Sequence, residues 1–273
     1  MRLTRRPIRL FFSRRRNGAT NFGDDISPIL VSHITGREVH HATVSRCDWA
    51  AIGSIIEMIA ERRIKRILHG RFLPIQIWGS GCLRAGDNIS RIFTNVLAVR
   101  GEHTRERLAC PCDLPLGDPG LLFNRLHQPA STKRYKWGIT AHYTDADSPL
   151  LKKIVEQTPN SLLIPLDIDP MDTLRLIGEC EHIASSSLHG LVAADSFGIP
   201  NWRIALGDRI AGGNYKFEDY ASAIGRTAPQ RRHLDQSGNL DLLLNEGYPD
   251  FSYMQSIEEI AGRLEKVLLS AAV

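Results

Sequence analysis

Four short segments combine small residues with a charged or protic side chain, the mixture expected where a strand ends beside a ligand. They are Asn21-Phe-Gly-Asp-Asp25, Gly79-Ser-Gly81, Val99-Arg-Gly-Glu102 and Ala184-Ser-Ser-Ser-Leu-His-Gly190. In the last, His189 falls in the first turn of a predicted helix. Helix N-termini carry unbonded N–H groups and partial positive charge, so they hold anions and disfavour imidazolium. A bound phosphate or carboxylate would restore the proton and let His189 act as a general acid. The alternative is that Ser185–Ser187 only cap the helix and His189 is a polar core residue. Arg100 suits a bidentate anion clamp, or else a salt bridge to Glu102 or Glu106. Asp118, before Pro119-Gly120, reads as a turn residue or a base. Of Asp24 and Asp25, one is expected to cap a helix and the other to face the ligand. His142, after a predicted strand, is a further candidate. Gly79-Ser80-Gly81 alone is not a dinucleotide fingerprint.

Strand-like and helix-like runs alternate along the chain. Strands are predicted at 8–12, 39–41, 49–53, 74–78, 95–99, 136–140, 161–165, 182–184 and 200–204. Helices are predicted from Asp24 or Asp25 to 34, and at 55–60, 104–108, 149–157, 170–180 and 187–198. A last helix, opened by the capping box Ser256-Ile-Glu-Glu259, carries the apolar stripe Ile257, Ile260, Ala261, Leu264, Val267 and Leu268. Such alternation predicts an α/β protein with parallel sheets. The pattern restarts after the polar, Pro-containing stretch 127–136, which predicts two units, 1–128 and 136–273. Ligands of open α/β sheets bind at the carboxyl ends of the strands, so the space between the units is the expected site.

The chain has 273 residues, with 42% hydrophobic and 23% charged residues, which excludes disorder and coiled coil. Residues 1–16 hold seven arginines and no acid; with a whole-chain charge of +4, the remaining body carries −3. A nucleic-acid-binding body is therefore disfavoured. The Arg-rich start has no apolar run of signal-peptide length, and the odd number of Cys, five, suits free thiols in a cytoplasmic protein. No Cys/His cluster has metal-ligand spacing, so no structural metal is expected.

Taken in order, the motifs resemble the polysaccharide pyruvyl transferase family. They are Asn21-Phe-Gly-Asp24, Trp78-Gly-Ser-Gly81, Val99-Arg-Gly101, Gly117-Asp-Pro-Gly-Leu-Leu122, Ser185-Ser-Ser-Leu-His-Gly-Leu191, Gly198-Ile-Pro200 and Lys216-Phe-Glu-Asp-Tyr220. The resemblance implies two Rossmann-like halves in a GT-B-like arrangement, with the active site in the interdomain cleft. The N-terminal half would take the acceptor and the C-terminal half the donor. It implies transfer of the carboxyethylidene group of phosphoenolpyruvate to two hydroxyls of a sugar in an exopolysaccharide precursor. The product is a pyruvate ketal, with phosphate released and no cofactor beyond the donor. The implied partners are phosphoenolpyruvate and a lipid-linked saccharide.

Carried over by position, Arg100, Leu188 and His189 would contact the donor. Asn21, Asp24, Gly79, Ser80, Gly81, Asp118, His142, Ser186, Ser187 and Lys216 complete the expected binding set. Some members have Arg where this chain has Ser187; Lys216 and Arg105 are candidates for the missing charge. Asp24 or His142 would orient the attacking hydroxyl. Arg14, Arg15 and Arg16 would lie at the acceptor side, which predicts peripheral contact with anionic lipid on the inner face of the membrane. The rival readings are a sugar-nucleotide-dependent GT-B glycosyltransferase and a non-catalytic binding module.

Overall fold

The computed structural model describes residues 6–15, 17–145, 148–206, 213–229, 231–233, 238–245 and 250–272. Its first half runs β1 (Ile8–Phe11), α1 (Phe22–Thr35), β2 (Val39–His41), β3 (Trp49–Ala50), α2 (Ile56–Arg62), β4 (Ile75–Trp78), β5 (Thr94–Ala98), α3 (Glu102–Arg107) and α4 (Phe123–Leu126). Its second half runs β6 (Tyr135–Thr140), α5 (Pro149–Gln157), β7 (Ser161–Ile164), α6 (Pro170–Gly178), β8 (Cys180–Ser185), α7 (Leu188–Ser196), β9 (Asn201–Ala205), α8 (Tyr215–Ile224), β10 (Arg232–His233), α9 (Asp241–Asn245) and α10 (Met254–Ala271).

The strands form two five-stranded sheets, ordered β2-β1-β3-β4-β5 and β10-β9-β8-β6-β7, with parallel pairing throughout. Numbered within each half, both orders read 2-1-3-4-5. The order reverses between β1 and β3 in one sheet and between β6 and β8 in the other. Those switch points are where such sheets open a crevice at their carboxyl ends. Parallel strands are covered on both faces, which explains runs as apolar as Ile75-Gln-Ile-Trp78.

The terminal helix α10 returns across the first half. Trp78 Nε1 donates to Leu264 O at 2.9 Å, and Ile257, Ile260, Ala261, Leu264 and Leu268 are buried. Val267 is only half-buried, so the predicted stripe is one residue narrower. The predicted capping box is overturned. The helix begins at Met254 with Tyr253 at its N-cap, and Ser256 lies inside it, its hydroxyl donating to Tyr253 O at 2.7 Å. Helix α8 was not expected as an element, although its sequence was singled out as a motif. No helix among the described residues is long and apolar enough to cross a membrane.

Asp195 fastens four elements of the second half. From α7 it accepts hydrogen bonds from Asn201 Nδ2 (2.6 Å) of β9, the Tyr220 hydroxyl (2.7 Å) of α8 and the Tyr253 hydroxyl (2.8 Å) before α10. Arg226 stands 3.6 Å away, and the carboxylate is fully buried. Removing it would strand three donors and a buried cation. Asp195→Ala is expected to lose about 3 kcal/mol or more, against a smaller loss for Asp195→Asn, as measured by urea unfolding.

Candidate active site

Helix α1 starts at the β1 end because Asn21 takes extended backbone there and Gly23 admits a close neighbour. Asn21 is the N-cap residue, and its side chain makes no cap bond. Instead Asn21 Nδ2 donates to Asp24 Oδ2, and Asp25 Oδ2 accepts from Asn21 N at 2.7 Å. Neither aspartate is therefore the N-cap, contrary to expectation; both lie in the first turn. Asp24 is the more enclosed: burial, with Asp25 adding to it, raises its pKa to about 7 despite the bond from Asn21. A Cβ on Gly53, at the β3 end, would stand 3.3 Å from Asp24 Oδ1.

Across from this turn lies the β6/β8 switch point. Ser185 Oγ accepts from Thr140 Oγ1 (2.7 Å) and Ser187 N (2.9 Å) and donates to Ser187 O (2.7 Å). Ser186 Oγ accepts from His142 N and donates to Asp145 Oδ2, both at 2.9 Å. Two of the three serine hydroxyls thus hold the turn in shape. Ser187 is the N-cap of α7, and its hydroxyl makes no cap bond to the first N–H groups of the helix. Leu188 is buried in the core.

His189 joins the two switch points. A Cβ on Gly23 would fall 1.9 Å from His189 Nδ1, so the ring lies directly on the α1 backbone. Its Nε2 is buried and has no hydrogen-bond partner among the described residues. Burial first, and then the charges of Lys216 and Arg100, lower its pKa to about 3. The expected depression is present, but its main cause is desolvation and not the helix dipole. Lys216, at the start of α8, is 8% exposed. Burial and neighbouring arginines lower its pKa to about 8, while Asp24 and Asp145 oppose them. His142 is lowered to about 4 by burial and Lys216. Asp24, His142, His189 and Lys216 therefore share one electrostatic environment around two helix N-termini.

Arg100 is differently placed from expectation. It is 1% exposed and spans the halves: Nε donates to Asp219 Oδ2 (3.0 Å), Nη1 to Ser54 Oγ (2.6 Å) and Nη2 to Cys82 O (2.6 Å). Its partner is neither Glu102 nor Glu106; Glu102 pairs with Arg105. Arg105 also donates to Cys112 O and is committed away from the site. A Cβ on Gly81 would sit 2.2 Å from Arg100 Cζ, so this glycine makes room for the guanidinium. Ser80 is buried with its hydroxyl donated to Ala51 O, and Gly79 has a left-handed φ of 76° against Pro119. Asp118 caps the turn at Pro119–Leu122 through Gly120 N (2.9 Å), while its other oxygen is buried without a partner and burial raises its pKa to about 6.

A cavity of about 400 Å³ opens beside this cluster, lined by Arg15, Asn21, Ala141, Ile164 and Asp167 among others. Arg15 thus lines a cavity whose other walls come mostly from the second half; Arg14 lies over the Phe12 ring, and Arg16 falls outside the described residues. Sequence reasoning missed Asp145, Asp219 and Gly53. Asp219 lies within the Lys216–Tyr220 motif, and Asp145 falls three residues after His142; acidity close to a candidate residue was the available signal.

The family model described as polysaccharide pyruvyl transferase matches residues 53–208. The succinoglycan biosynthesis protein ExoV of Rhizobium meliloti is 26% identical over 217 residues, covering 78% of this chain and 64% of that protein. An uncharacterized protein of Acanthamoeba polyphaga mimivirus is 30% identical over 161 residues, covering 55% of this chain and 54% of that protein. The chain thus spans less than two thirds of the length of either relative. A solved Klebsiella pneumoniae protein of uncharacterized function aligns with 85% of this chain and 94% of its own at 12% identity, with a TM-score of 0.44.

The partly buried imidazole of His189 makes stability depend on pH. With a folded pKa near 3 and an unfolded value near 6.5, His189 takes up its proton on unfolding. Its contribution is complete above pH 6.5 and is lost as pH falls below that. His189→Gln should therefore narrow the difference in unfolding free energy between pH 7 and pH 5 by about 1 kcal/mol; the ring's partial exposure keeps the effect below a full one-proton slope. Urea titrations of both proteins at the two pH values measure it.

Proposed function

The chain belongs to the polysaccharide pyruvyl transferase family, and from that premise we propose that it transfers the carboxyethylidene group of phosphoenolpyruvate to two hydroxyls of a saccharide in exopolysaccharide synthesis. One observation carries the reading: His189 Nε2 is buried without a partner between the N-terminal turns of α1 and α7, beside Lys216. A dianionic or trianionic donor suits that environment. Its phosphate and carboxylate would meet the α7 N–H groups and the Lys216 ammonium, which stands in for the arginine that Ser187 replaces. Arg100 stays paired with Asp219 and acts by positioning and by its field. In this reading the donor lies between the two halves, in a GT-B-like cleft.

Before the donor arrives, His189 is neutral at pH 7. The donor's negative charge offsets the cations that depress the imidazole and draws a proton onto it. His189 then gives that proton to the methylene carbon, and C2 becomes electrophilic. A sugar hydroxyl forms a C–O bond to C2 and passes its proton to Asp24, whose pKa near 7 suits a base at neutral pH. The bond from C2 to the phosphate oxygen breaks, and phosphate leaves with the proton held by Asp24. The second hydroxyl adds to C2, closes the ketal and returns a proton to His189. Asp24 ends as a carboxylate and His189 as the imidazolium it was with the donor bound; that proton returns to solvent when the products leave.

His189→Ala is expected to lower phosphate release from phosphoenolpyruvate by about 10²-fold or more. Turnover near that of the unaltered protein would overturn the assignment. Release from a uridine or guanosine sugar nucleotide, with none from phosphoenolpyruvate, would favour a glycosyltransferase instead.

The pH profile of kcat/KM reports the free enzyme and follows from three groups. His189 must gain a proton and Asp24 must be a carboxylate, so the two effects cancel between about pH 3 and pH 7 and activity falls above that; loss of the Lys216 charge steepens the fall past a pKa near 8. Asp24→Asn should turn the level acid side into a continuous fall with pH, and Lys216→Met should remove the steeper alkaline fall, each at reduced rate.

A further inference from the structure

Six of the nine large hydrophobic side chains that are exposed among the described residues gather at one place: Ile64, Ile67, Leu68, Phe72, Leu73 and Ile92. This crowding is not the scatter normal for a soluble surface. Ile64, Ile67 and Leu68 lie on a tight 3₁₀ helix, Arg63–His69, which ends at Gly70 with a left-handed φ of 63°. Phe72 and Leu73 follow in the loop that enters β4. Ile75 N donates to Phe93 O at 2.9 Å, which brings the loop holding Ile92 alongside. Leu68 is 83% exposed and Leu73 77%.

The tip is held outward by a buried cation. Arg66 donates to Cys47 O at 2.6 Å and to Val44 O at 3.2 Å from one nitrogen, and to Leu73 O at 2.7 Å from another. It ties the loop to the chain below and prevents Phe72 and Leu73 from folding back. Around the tip the exposed charges among the described residues are mainly cationic: Arg46, Arg62, Lys65 and Arg91, with Glu61 as a near acid. A basic cavity of about 540 Å³ adjoins it, lined by Arg9, His41, Arg46, His69 and Arg71 among others, with Asp48 paired to Arg9 and Arg71.

We infer that this face docks on an anionic lipid bilayer, with Leu68, Phe72 and Leu73 entering the headgroup–acyl boundary and the cations meeting lipid phosphates. Apolar insertion combined with basic attraction is the pair of signals that gives stable interfacial binding. Charge complementarity separates this occupant from a second copy of the chain. A two-fold pairing would set the cationic rim against itself. The face lies at the amino ends of β4 and β5, whereas the candidate active site lies at the carboxyl ends. Docking through the apolar tip is therefore independent of the proposed reaction, and the tip, rather than the loop at Arg14 and Arg15, supplies the inserting side chains.

The test is co-sedimentation of the full chain with phosphatidylcholine vesicles, with and without phosphatidylglycerol. The protein should bind the anionic vesicles, less so at high salt. Phe72→Glu with Leu73→Glu should reduce partitioning by about tenfold or more, at unchanged unfolding midpoint because both side chains are exposed. Leu68→Trp gives a local probe, since the four natural tryptophans are buried; its emission should shift to the blue with anionic vesicles. Replacing Arg14, Arg15 and Arg16 by Ala should leave binding intact. The inference fails if the protein ignores anionic vesicles, if the double variant binds equally, or if Leu68→Trp emission does not move. It fails equally if the triple Arg variant abolishes binding, or if the double variant instead converts a dimer to a monomer in size exclusion.

Discussion

Arg100 and Asp219 set a positive and a negative charge where almost no water reaches, one from the end of β5 and the other from α8. Such a pair persists only if each remaining donor and acceptor is used. Here Ser54, Cys82 O and both the amide and hydroxyl of Thr104 complete it. Severing one member would leave a buried charge, at a cost of about 3–5 kcal/mol. The pair fixes α8 against the first sheet, and α8 carries Lys216. The placement of that ammonium beside Asp24 and His189 therefore depends on an ion pair that belongs to neither half alone.

The small residues in the motifs serve the same docking. Gly101 has no room for a side chain because a Cβ would meet Asp219 O at 1.6 Å. Gly23 meets the His189 ring and Gly81 the Arg100 guanidinium in the same manner. Segments far apart in sequence thus interlock through backbone that only glycine permits at that distance. The motifs are less a set of separate ligand loops than the two sides of one contact.

Burial, more than any single neighbour, sets the chemistry of the cluster. It raises the Asp24 carboxyl and lowers His142, His189 and Lys216, so that each charged form is disfavoured while no ligand is bound. In the proposed reaction an anion would stabilise Lys216 and protonated His189 together, and its binding would be linked to the loading of a proton. Asp195 shows the contrasting use of a buried carboxylate: with three donors and Arg226 around it, it holds helices together.

The sequence by itself determined the alternation of elements, because apolar runs and turn residues are local signals. Helix α5 matches its predicted span, and strands such as β4 and β9 fall within a residue or so of theirs. The restart of the pattern near residue 130 and the motif order were legible for the same reason, and His189, Asp24 and Lys216 stood out as candidates within those motifs. Two caps were misread: Asn21 and Tyr253 hold positions expected of Asp24 or Asp25 and of Ser256, since a capping pattern does not reveal whether the backbone turns there. Helix α8 was overlooked although its residues were noted. Only the tertiary structure decided that Arg100 answers Asp219 rather than Glu102, and that the ring of His189 rests on Gly23. It alone decided which carboxylate is driven toward neutral pH and which hydrophobics stay outside. Pairing and desolvation depend on what folds against a side chain from 119 residues away, as with Arg100 and Asp219. No local pattern records that distance.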